Sequence, residues 1–170
     1  MKTVSKVTTV YNHAQDRISM SGEISDGSTA ILWITRRLVE RLVPELLAWL
    51  KTTDKEADLP RSDVINSFKQ QSAAGKLPQS GPVVAEKPEA EWLVTAVDVQ
   101  KRPEIMRLVF RAPDQHQEKI ALDLAPLALR QWLNILLAGY QRAEWPLDVW
   151  PEWMREQLPD QQRPESVPLH

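Results

Sequence analysis

The sequence predicts an α+β fold: a duplicated βββα unit forming an internal pseudodimer, with antiparallel sheet packed on two long helices and a tryptophan-rich strap at the C-terminal end. Three observations predict it. The apolar period switches twice from two, the period of a half-buried strand, to about 3.6, the period of a helix. An ungapped offset of 90 positions (Leu46 against Leu136) also brings Val4 onto Val94, Val7 onto Val97, Arg17 onto Arg107, Leu32 onto Leu122, and Leu47–Ala48 onto Leu137–Ala138. Self-similarity at a fixed period is the mark of repeated units. Finally, Trp145, Trp150 and Trp153 crowd the stretch after the last helix.

The first unit, residues 1–51, opens with the β-branched run "VSKVTTVYN" and continues with "DRISMSGEI". The turn "SDGS" then leads to the third strand, "TAILWI". Alternating apolar residues flanking an Asp/Gly/Ser break read as a hairpin. The helix "RRLVERLVPELLAWLK" follows, with Thr35 placed as its N-cap. Pro44 predicts a kink or break near Glu40, because its ring collides with the carbonyl four residues earlier. Leu38, Val39, Leu42, Val43, Leu46, Leu47, Trp49 and Leu50 cover more of this helix than the stripe of roughly 100° that one contact buries.

Residues 52–90 read as a connection with one short helix, capped by Ser62 and carrying Val64, Ile65 and Phe68 on its apolar side. Residues 73–89 are rich in Pro, Gly, Ser and Lys, the composition of a mobile linker. The second unit, residues 91–142, repeats the pattern: "EWLVTAVDVQ", "IMRLVFRA", the turn "PDQHQ", "KIALDL" and the helix "PLALRQWLNILLAGYQ". Pro126 stands at the first helical turn, where its missing N–H costs nothing. Residues 143–170 form the strap and a tail, whose last ten or so residues are expected to lack order. The whole chain, 1–170, is expected to be one domain.

Composition narrows the function classes. An apolar fraction of 42%, a charged fraction of 26% and a net charge of -2 give no bulk attraction to nucleic acid or to an anionic membrane. With no cysteine there is no disulfide framework, no thiolate nucleophile and no cysteine-ligated metal. No apolar run approaches the roughly 18 residues of a membrane span, and the start carries no secretory leader, so a cytoplasmic protein is expected.

No catalytic residue is assigned. His13, His116 and His170 share no metal-ligand spacing, Glu23 and Asp26 read as solvated turn carboxylates, and no phosphate loop is present. No metal or cofactor is expected.

Two sets of residues point to binding. Arg36 and Arg37 sit in a first helical turn, where the macrodipole disfavours cations, so they require an internal carboxylate or a bound anion. Arg17, Arg107 and Arg111 fall on one sheet face near aromatic residues, the combination used to hold single-stranded nucleic acid. The strand-strand-strand-helix order resembles that of certain single-strand-binding transcription cofactors, an architectural likeness that carries no motif. The second set is the strap, with Trp145, Trp150 and Trp153 as a partner anchor or as part of the core.

The resulting expectation is a non-enzymatic binding or assembly protein acting through protein–protein contacts with a partner or a second copy of itself. Its alternative is a single-stranded nucleic-acid-binding protein that uses Arg17, Arg36, Arg37, Arg107 and Arg111.

Overall fold

The computed structural model describes residues 1–53, 62–77, 80–114 and 118–156. Three strands come first, β1 (Lys2–Asn12), β2 (Arg17–Ile24) and β3 (Thr29–Ile34), followed by the helices α1 (Arg36–Thr53) and α2 (Ser62–Gly75). Four strands follow, β4 (Ala90–Leu93), β5 (Ala96–Lys101), β6 (Met106–Arg111) and β7 (Ile120–Leu124), and then α3 (Pro126–Ala143) and α4 (Glu152–Arg155).

The local chemistry of these elements is plain. The β2–β3 turn is an Asx-turn, with Asp26 Oδ1 accepting the Ser28 N–H at 2.9 Å while Gly27 takes φ 87°. Thr35 Oγ1 accepts the Leu38 N–H at 3.3 Å and caps α1. Helix α3 begins on Pro126 and stops where Glu144 enters the left-handed region at φ 55°, leaving Trp145 N–H to close on the Tyr140 carbonyl at 3.0 Å.

The arrangement of the elements corrects the predicted architecture. The seven strands make one mixed, curled sheet in the order β4-β3-β2-β1-β7-β6-β5, and the antiparallel sheets of a pseudodimer do not occur. β1 lies beside β7, parallel, through Lys2–Val4 and Ile120–Leu122. β3 lies beside β4, also parallel. Two self-contained βββα units would leave β1 and β3 as edges; both are interior strands, so an internal duplication has no support from the sheet. Nor do two long helices face each other as a pseudodimer core. There are four helices among the described residues, and α3 packs chiefly on α2 and β1, with only a narrow contact to α1.

The predicted strand "EWLVTAVDVQ" is divided, and the division curls the sheet. β4 ends at one margin and β5 begins at the other, with only Val94 and Thr95 between them. Val94 N–H bonds to the Trp33 carbonyl on β3 at 2.9 Å, and Thr95 N–H bonds to the Arg111 carbonyl on β6 at 3.0 Å. One dipeptide thus draws the two margins together.

Alternation along the strands fills one face with Ile18, Met20, Leu32, Ile34, Leu108, Phe110, Ile120 and Leu122, all buried. Gly139 of α3 marks this as the helix face, since a Cβ there would lie 3.0 Å from Ile18 Cδ1. Val39, Val43 and Leu46 of α1 and Leu129, Leu133 and Leu136 of α3 complete a single core. Most of the apolar surface of α1 and α3 is consumed inside the chain, with Leu38 and Leu47 packed at the core margin and Leu127 left exposed.

Three further expectations are corrected. Helix α1 is continuous through Pro44, so the expected break does not occur, and Leu42, Val43 and Leu46 are buried on either side of it. Helix α2 extends over 14 residues into the stretch read as a linker. It also presents the opposite face to the one expected: Val64 and Phe68 are 65% and 71% exposed, whereas Asn66 and Gln70 are buried. The expectations for His116, His170 and the C-terminal tail lie outside the described residues.

Candidate functional site

β1 does more than its length suggests. Its first three positions pair with β7 on one side, and the ladder to β2 on the other side shifts register between Val4 and Lys6. Ser5 is the extra residue of that bulge, and a bulge bends the strand that carries it. Beyond it β1 continues to Asn12 paired only with β2. In an antiparallel pair, alternate residues aim N–H and C=O away from the partner. Among the described residues, no backbone group takes up those of β1 from Lys6 to Asn12 on the second side.

Helix α3 stands along this unpaired edge because β7, parallel to β1, runs directly into it. Ala128, Gln131, Ile135, Ala138 and Arg142 form its stripe toward the edge, and Trp132 Nε1 anchors it by donating to Thr9 Oγ1 at 3.1 Å. Ala128, Ala138 and the adjacent Gly139 leave this side of the helix small at three positions, so helix and strand do not fill the space between them. A cleft of about 680 Å³ results. Val7, Tyr11, Leu122 and Leu124 add apolar wall, while Leu77 and Ser80–Pro82 form a rim. Val83 N–H fixes that rim by donating to Thr8 Oγ1 at 2.8 Å. Lys6 and Arg142 bring cationic groups to the cleft, and among the described residues neither has an ion-pair partner.

The second edge of β5 makes an instructive contrast. Helix α1 closes on that strand through Trp49 Nε1, which donates to the Arg102 carbonyl at 3.1 Å, and through Glu45, which pairs with Lys101 at 2.6 Å. Where α1 carries a large indole, α3 carries Ala138 and Gly139, and the gap stays open.

The residues singled out from sequence are placed elsewhere, and they do not form one site. Arg107 makes a bidentate pair with Asp123, at 2.6 and 2.7 Å, across β6 and β7. That hydrogen bonding holds the Asp123 carboxyl below the usual carboxylate range. Arg111 pairs with Asp98 on β5 at 2.7 Å. Arg17 ends β2's ladder opposite Asn12, with β1 standing between β2 and the strands that carry both pairs. Arg36 finds its compensating carboxylate within its own helix, at Glu40, 3.3 Å away. Arg37 is exposed beside Arg41.

The tryptophans of the strap belong to the core. Trp145 and Trp150 are buried and meet the Tyr140 ring edge-on, with centroids 5.0 and 5.4 Å away, while Trp153 is half-buried beside Leu47 and Pro151. Burial takes Trp145 and Trp150 out of reach of a partner. Among the described residues the indole N–H of Trp150 has no acceptor. His13 lies edge-on against Tyr11.

Asp26 is occupied by Ser28 and Lys2, and Lys2 also meets Glu89 and Glu118. Among the described residues no group of three or more His, Asp or Glu is arranged to hold a metal ion. No helix among them is long and apolar enough to cross a membrane. The cleft and the polar α2–α3 contact were missed in the sequence. One signal pointed to the cleft: "VTTVY" is rich in β-formers yet carries none of the proline or repeated charge that normally blunts an edge.

Comparison of this chain with protein-family models, with curated proteins and with solved structures finds no match.

Proposed function

We propose that the chain is a non-enzymatic binding protein acting through protein contacts, and that its contact surface is the cleft between β1 and α3. The observation that carries this reading is the row of backbone donors and acceptors on β1 from Lys6 to Asn12 that, among the described residues, has no backbone partner on its second side and lies beside an apolar wall. Native proteins cover, pair or charge such edges, because an open edge recruits other chains. The cleft is also of the size and mixed apolar character usual for binding sites. The inward faces of α1 and α3 and the indoles of Trp145 and Trp150 are used inside the chain, and the β1–α3 cleft is a surface that combines apolar lining with open backbone groups. Single-stranded nucleic acid is the weaker reading, since Arg107 and Arg111 are engaged by carboxylates and Arg36 by Glu40.

A displayed random-peptide library panned on the full chain tests the proposal. Peptides should be enriched on the wild type and released by Ala138→Trp, which places an indole in the cleft. The Tm of the variant, measured in parallel, should stay within a few degrees, and Ala128→Trp, from the same stripe, serves if it does not. No enrichment on the wild type, or enrichment that survives a folded, blocked cleft, overturns the proposal.

A further inference from the structure

Resting on that reading, we infer that the occupant of the cleft is an extended peptide bearing acidic side chains, added to the sheet as a strand along β1 from Lys6 to Asn12. Backbone chemistry sets the conformation. Groups projecting from alternate residues of β1 are matched in spacing only by another extended chain, whose own amides repeat at about 3.3 Å per residue. A helix or an oligonucleotide offers no such row. Strand addition is a general mode of peptide capture, with the main chain supplying affinity and alternate side chains supplying selectivity.

Shape decides between a peptide and a second copy of the sheet. The edge is walled by α3 on one side and by the Leu77 and Ser80–Pro82 rim on the other. A single extended chain enters such a slot, whereas an intact sheet edge flanked by its own neighbours is stopped by the walls. The row it takes is the one β7 vacates when the chain turns at Ala125 into α3.

Charge decides the side chains. Lys6 lies just past the bulge on β1 and Arg142 in the last turn of α3, beside the end of the strand that carries Tyr11. The third cation near this wall, Arg107, is already neutralised by Asp123. Lys6 and Arg142 therefore mark opposite stretches of the cleft as attractive to carboxylates. The apolar lining between them, Val7, Leu122, Leu124 and Ile135, suits aliphatic side chains at the intervening positions.

The test uses the full chain and three probes: the acetylated, amidated hexapeptide EVTVEV, its counterpart KVTVKV, and EVTVEV N-methylated at alternate residues in either frame. Titration followed by amide hydrogen exchange should show EVTVEV binding about fivefold or more tighter than KVTVKV. Arg142→Glu together with Lys6→Glu should reverse that order. Exchange should slow at alternate amides between Lys6 and Asn12, and only one N-methylation frame should abolish binding. The inference is overturned if EVTVEV does not bind, if both frames bind equally, or if β1 amides gain no protection. It is also overturned if those amides are already protected by a concentration-dependent dimer seen in light scattering. Library peptides that are displaced by Ala138→Trp but leave β1 amides exchanging would sink strand addition while the protein-contact reading survives. Failure of both experiments removes both.

Discussion

Asp16 holds the turn end of the first hairpin to the segment that follows α3. It stands at φ 49°, a left-handed position that short polar side chains tolerate best. There its carboxylate accepts the Tyr11 hydroxyl at 2.6 Å and the Trp145 indole N–H at 3.0 Å. Those two hydrogen bonds, with Tyr11 the stronger influence, hold its carboxyl below the ordinary aspartate range. The sign of the linkage follows. A depressed folded value means the contribution to stability is complete above the unfolded value of about 3.9 and is lost as pH falls from there through the lower folded value. Acid titration monitored by tryptophan fluorescence should therefore show this step in the wild type. Asp16→Asn, which keeps an acceptor oxygen and tolerates the backbone, should flatten it. An unchanged acid profile in the variant would remove Asp16 from the account. None of this was legible beforehand: three tryptophans in nine positions announced a buried strap, but nothing in the spacing of Asp16 and Trp145 announced the acceptor waiting for one of them.

At the scale of elements, α2 is held by polar rather than apolar complementarity. Gln70, fully buried, donates through Nε2 to the Arg130 carbonyl at 2.7 Å and to Asn134 Oδ1 at 2.8 Å, and its Oε1 accepts from Arg130. Arg130 also reaches Asn66 Oδ1 at 3.0 Å, and Gln131 reaches the Ala73 carbonyl at 3.1 Å. Buried polar groups that lose a partner cost about 1–3 kcal/mol each. Gln70→Ala, which strands groups on Arg130 and Asn134 together, is thus expected to lower stability by about 2–4 kcal/mol in denaturant unfolding. Phe68→Ala, two residues away on the exposed face, should stay within roughly 0.5 kcal/mol. The reverse order would mean that the apolar face is the docked one. Sequence reasoning chose that face because binary patterning assumes apolar side chains point inward. The rule fails where amides and a guanidinium satisfy one another on a helix with few large apolar residues to offer. The cleft escaped notice for a related reason: Ala128, Ala138 and Gly139 read as ordinary helix positions, and only the strand beside them makes their small size a feature.

For the molecule as a whole, the boundary between what was legible and what was not follows separation along the chain. The hairpins β2–β3 and β6–β7 were readable because turn chemistry and alternation sit within a few residues of each other. The parallel pairs were not: β1 meets β7 through Val4 and Leu122, and no local pattern specifies a partner so distant. The same blindness turned "EWLVTAVDVQ" into one strand, although its middle is the corner where the two margins of the sheet meet. That corner yields a test of whether the curled sheet is a single cooperative body. Thr95→Pro deletes the N–H that bonds the Arg111 carbonyl and stiffens the dipeptide whose other N–H bonds Trp33. Proline there removes a backbone hydrogen bond worth about 0.5–1.5 kcal/mol net. With one core spanning α1, α3 and every strand, the loss should appear as a shift of one unfolding transition, reported alike by far-ultraviolet dichroism and tryptophan fluorescence. Val84→Pro, at an exposed position before β4, should leave the midpoint nearly unchanged. Two separated transitions in Thr95→Pro would show that the halves hold themselves up independently, and that the corner merely joins them.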